Sequence, residues 1–163
     1  MEIKRTNTRR IVAVGVIAAS GLVAGAPALA SDASLRKAVL AQEKKVDVVV
    51  DDFTEAGEDT VSAVGRERAN NALSDLLTTV KVQRAAVVKQ KATTTRIKRA
   101  RTQYLAAIDS FTTGLKTFDQ GLEAFDPDAP AKSRTLITKA TTQLDSAVIR
   151  RERARKLIVR RAA

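Results

Sequence analysis

Residues 97–125 read IKRARTQYLAAIDSFTTGLKTFDQGLEAF, and their spacing decides the fold. Ile97, Tyr104, Ile108, Phe111, Leu115, Phe118, Leu122 and Phe125 recur at steps of three and four, the a/d register of a heptad. Arg101 alone breaks the apolar run. With no proline inside it, the stretch is expected to form one long helix with its apolar stripe in a core. Tyr104 shares that stripe and is expected in the core with its hydroxyl near water.

Working outward, Asp126-Pro127-Asp128-Ala129-Pro130 must end this helix. Asp128 is the expected N-cap of a fourth, with Pro130 in its first turn. That helix carries Ile137, Ala140, Leu144, Ala147, Ala154 and Ile158 on the same spacing. Upstream, Thr93-Thr94-Thr95 is the one mark of a break, through mild β-branched resistance to helix. A second helix, capped near Asp59 or Thr60, carries Val61, Val64, Leu73, Leu76, Val80 and Val87. A first runs from about Ala33 to Ala56 and stops at Gly57. Its stripe is Leu35, Val39, Val46, Val49, Phe53 and Ala56, with Gln42 filling the gap. The expected fold class is all-α, an antiparallel up-down-up-down four-helix bundle with coiled-coil-like packing. The alternative is an extended helical hairpin with one long central helix from about residue 60 to 125, roughly 100 Å long.

Before the first helix lies an address. Lys4, Arg5, Arg9 and Arg10 precede an uncharged run from Ile11 to Ala30, which ends in Ala28-Leu29-Ala30 before Ser31. A basic segment, an apolar segment and a small-x-small site, in that order, make residues 1–30 a secretory signal peptide of bacterial type, cleaved between Ala30 and Ser31. Pro27 favours extended backbone at such a site. An uncleaved anchor is the competing reading, weakened by Gly15, Gly21, Gly25 and Pro27. Thr8-Arg9-Arg10 matches a twin-arginine signal only in part, so general secretion is favoured. Residues 31–163 then form a single helical-bundle domain, secreted or envelope-associated.

Composition removes whole classes of chemistry. The chain has no histidine and no cysteine, and its one methionine is Met1. Disulfides, zinc, haem and blue-copper sites lose their usual ligands, and a serine nucleophile loses its usual base. Neither catalytic nor metal-ligating residues are assigned, and no cofactor or small-molecule substrate is evident. The acidic run Asp51-Asp52-Phe53-Thr54-Glu55-Ala56-Gly57-Glu58-Asp59 lacks the alternate-acid pattern of a calcium loop. No glycine-rich phosphate loop occurs, and the few aromatics argue against stacking on bases and specific nucleic-acid binding.

What remains is charge. The chain has 29 Lys+Arg and 18 Asp+Glu; taking off the four bases and one acid of residues 1–30 leaves 25 bases, 17 acids and a net charge of +8. No acid falls between Asp75 and Asp109. On the expected bundle the acids gather at one end and the bases at the other. The candidate polyanion-binding residues are Lys89, Lys91, Arg96, Lys98, Arg99, Arg101, Arg150, Arg151, Arg153 and Arg155. The functional expectation is a non-enzymatic module whose basic pole contacts an anionic envelope polymer or a membrane surface. A structural, self-associating protein (a homo-oligomer pairing acidic pole to basic pole) is the alternative, with an enzyme third.

Overall fold

The computed structural model describes residues 27–160, with side chains from Ser31 to Arg160. The described residues form a helical bundle of four helices: α1 Pro27–Ala56, α2 Ala63–Val88, α3 Thr95–Glu123 and α4 Ala131–Val159. No strand occurs among the described residues. The rest of the expected signal segment, residues 1–26, lies outside them, as do Arg161 and the last two alanines. Pro27 is helical rather than extended. It opens α1, where a missing N–H costs nothing and its fixed φ suits the helix.

Helices α2 and α3 are separate, so the single long central helix is not formed. Thr94 ends the break as the N-cap of α3, its Oγ1 accepting from the Ile97 N–H at 3.4 Å. Two expected caps are corrected. Ser62, not Asp59 or Thr60, caps α2 by accepting from the Gly65 N–H at 2.9 Å. Asp59 instead accepts from the backbone N–H groups of Val61 and Ser62 and from the Ser62 hydroxyl, which holds its carboxyl below the usual range. Gly65 lets that turn fold down onto α2, since a Cβ there would sit 2.0 Å from the Asp59 carbonyl oxygen. At α4 the cap position is Pro130, with no side-chain cap, and Asp128 does not cap the helix.

The core follows the spacing. Leu35, Val39, Val46, Leu73, Leu76, Val80, Val87, Ile108, Leu115, Ala140 and Ile158 are buried in one cluster. Each fully buried Leu or Val contributes roughly 1.5–3 kcal/mol. Phe53 meets Phe118 edge-to-face at 5.0 Å between centroids, which ties α1 to α3. Packing is closest between α3 and α4, where a Cβ on Gly114 would lie 2.8 Å from Leu144 Cδ2. Some expected core positions are open. Val61 and Val64 are 74% and 69% exposed, because α2 starts later than expected and both precede its buried face. Val49, Ile137, Leu144 and Phe125 are only partly buried. Arg66 lies 4.1 Å over the Phe125 ring.

Candidate polyanion-contact site

Three contacts gather the basic segments. Asp32, at the start of α1, accepts from the Thr93 N–H at 2.8 Å and from the Thr94 hydroxyl at 3.0 Å. Arg36 Nε, one turn on, donates to the Ile158 carbonyl near the end of α4 at 3.3 Å. The start of α1, the α2–α3 link and the end of α4 therefore share one end of the bundle. Burial pushes the Asp32 carboxyl up, but its bonds from Thr93 and Thr94 outweigh this and hold it below its ordinary value.

Of the ten candidate residues, seven are exposed: Lys89, Lys91, Arg96, Lys98, Arg99, Arg150 and Arg153. Five of these surround the α2–α3 link, and Arg150 and Arg153 lie along α4. None of the seven makes an ion pair among the described residues. The first turn of α3 carries no acid, although its free N–H groups and dipole favour one. Asp32, reaching over from α1, is the carboxylate that meets this turn.

The fold itself engages the other three candidates. Arg101 donates to the Val87 and Val88 carbonyls at 3.2 and 2.7 Å, closing the last turn of α2. Arg151, only 8% exposed, pairs with Glu43 at 3.5 Å and Asp47 at 3.7 Å. Arg155 lies 4.0 Å from Glu43 and 3.2 Å from Glu152.

These pairs belong to a buried polar layer with one member from each helix: Glu43, Gln83, Tyr104 and Arg151. The Tyr104 hydroxyl donates to Glu43 Oε1, while Gln83 Nε2 donates to the Tyr104 oxygen at 2.8 Å and to Glu43 at 3.3 Å. The hydroxyl is therefore sealed inside the core, which corrects the expectation that it lies near water. Burial and the Glu43 carboxylate push its pKa far up, so it stays protonated and donates. Sequence reasoning missed Glu43 and Gln83. Both fall on the seam, Val39-Glu43-Val46 and Val80-Gln83-Val87, with steps of three and four. Register was the available signal, and Gln42 was assigned the slot that Glu43 fills.

Sequence reasoning also missed Ser34-Leu35-Arg36-Lys37, a Ser-x-x-Lys. Ser34 is exposed and its hydroxyl donates to the Ser31 carbonyl at 2.8 Å, so it stands on open helix surface. Among the described residues, no three acidic side chains converge as metal ligands would. No described helix is long and apolar enough to cross a membrane. No protein family, curated protein or solved structure matches the chain.

Proposed function

We propose that the protein is a secreted or envelope-associated, non-enzymatic helical module whose basic end contacts anionic polymers or lipid headgroups. One observation carries this reading. Arg96, Lys98 and Arg99 fill the opening of α3, where the dipole favours anions, and against these three cations the fold sets the single carboxylate of Asp32. A surface serving solubility alone would mix the two signs. Each cation so placed costs a few tenths to about 1 kcal/mol, which a bound polyanion would offset.

The contacts support an antiparallel up-down-up-down arrangement. The start of α1 meets the end of α4, and the ends of α1 and α3 meet through Phe53 and Phe118. Export supplies a further charge to the same end, because cleavage after Ala30 would leave a free amino group on Ser31, beside Asp32. A non-enzymatic role agrees with a chain that has no histidine or cysteine.

The test is retention of the purified protein on anionic and neutral vesicles, and on a phosphodiester polymer, across a salt gradient. Retention at low salt and steep release at moderate salt are expected. Converting Lys89, Lys91, Lys98 and Arg99 together to Gln should weaken it and leave helicity unchanged. Absence of retention on every anionic surface at low salt would refute the reading. A concentration-dependent oligomer that salt dissolves would favour the self-associating alternative.

A further inference from the structure

We infer that the trough between α3 and α4 binds a single strand of an anionic polyol, a chain of hydroxylated units joined by phosphodiesters. The inference rests on the polyanion reading above and deepens it by naming the groove and the second chemical feature of the ligand.

Two pockets of about 320 Å³ each share Ser110 and Arg150, so they form successive stretches of one trough. On α3 the lining runs from Gln103 to Thr113, about 15 Å of helix. The lining residues Ala107, Ala147 and Ala154 are buried, and no acidic residue lines either stretch. Arg150 and Arg153, two of the seven free cations, stand on its α4 side.

The polar walls specify more than charge. The hydroxyls of Ser110, Thr113 and Thr142 donate to the Ala106, Asp109 and Thr138 carbonyls at 3.0, 3.0 and 3.2 Å. Their protons are committed, which leaves oxygen lone pairs as acceptors. Gln143 also lines the trough, but its Oε1 is buried away from the surface and is not one of these acceptors. The trough thus offers guanidinium donors for an anion beside acceptors that need hydroxyl donors. A polymer of bare anions satisfies the arginines and leaves the acceptors unmet; a neutral polyol does the reverse. A chain that alternates phosphodiester and hydroxyl satisfies both. No aromatic residue lines the trough, so stacking on sugar rings or bases has no platform here.

The experiment is titration calorimetry of the purified protein with poly(glycerol phosphate) and with inorganic polyphosphate of matched charge, alongside sedimentation with phosphatidylglycerol vesicles. Poly(glycerol phosphate) should bind at least tenfold tighter than polyphosphate. Arg150→Gln with Arg153→Gln should weaken it about tenfold, and Thr113→Val with Thr142→Val should erase the preference, circular dichroism staying constant throughout. Equal affinity for the two polymers would overturn the proposal, as would binding to vesicles but not to polymer. If the arginine pair leaves binding intact while the four Gln changes at the α2–α3 link abolish it, the trough is refuted and the basic-end reading stands. Loss of binding in neither variant refutes both.

Discussion

Arg150 and Arg151 are neighbours in sequence and belong to opposite regions of the molecule. Arg151 is buried against Glu43, in a layer where every helix supplies a polar group, while Arg150 stands exposed and unpaired at the trough. In the buried layer a guanidinium is tolerated only because a carboxylate and hydrogen bonds accompany it, so its work is to specify how four helices meet. At the opening of α3, Arg96, Lys98 and Arg99 stand where the helix dipole opposes them, with Asp32 from α1 the carboxylate that the fold brings there. One residue type thus serves the fold when its charge is matched internally, and is free for binding when it is not.

The comparison breaks most easily at Glu43. Glu43→Ala would strand Arg151 in the core and should cost about 3–5 kcal/mol in urea unfolding, with the m-value unchanged. A loss under 1 kcal/mol would mean that water already reaches the layer. Tyr104→Phe removes one hydroxyl that Glu43 and Gln83 share, and about 1–2 kcal/mol should go with it. Equal stability would show that Gln83 alone satisfies the carboxylate.

Asp32 lies at the basic end, and its contribution depends on pH. Its carboxyl is held below the ordinary 3.8, so its stabilisation is present above that value and is lost as pH falls through the lower folded value. Asp32→Asn should cost about 1–2 kcal/mol at pH 7 and flatten the acid limb of the stability curve below about pH 4. Parallel acid limbs in the two proteins would assign that limb to other carboxylates. The smallest effect has the opposite sign. Changing Arg96, Lys98 and Arg99 to Gln should leave stability equal or raise it by up to about 1 kcal/mol, while polyanion binding loses roughly one unit of salt slope per lost contact. A clear destabilisation would move these residues into the same class as Arg151.

Most of the bundle was legible in the sequence because a helical core imposes a period, and Ile97, Ile108, Leu115 and Leu122 keep it. The four segments followed from that period and from turn chemistry, while at Thr93–Thr95 the sequence left a break and one long helix both open. Caps were less legible, since Ser62, Asp59 and Thr60 are all competent and the choice depends on how the turn folds over Gly65. The site was half legible. Composition identified a basic end, but exposure could not be read from charge, so Arg101, Arg151 and Arg155 were grouped with residues that face solvent.

By itself, the sequence determined that the chain is helical, that a helix must stop at Asp126–Pro130, and that its bases outnumber its acids around the α2–α3 link. These are local properties, set by period, propensity and composition. The structure decided between a break and one long central helix. Only the tertiary structure decided that Glu43, Gln83, Tyr104 and Arg151 form one layer, and which arginines remain free. Pairing depends on which helix faces which across the core, and four residues up to 108 positions apart carry no mark of it until the helices pack.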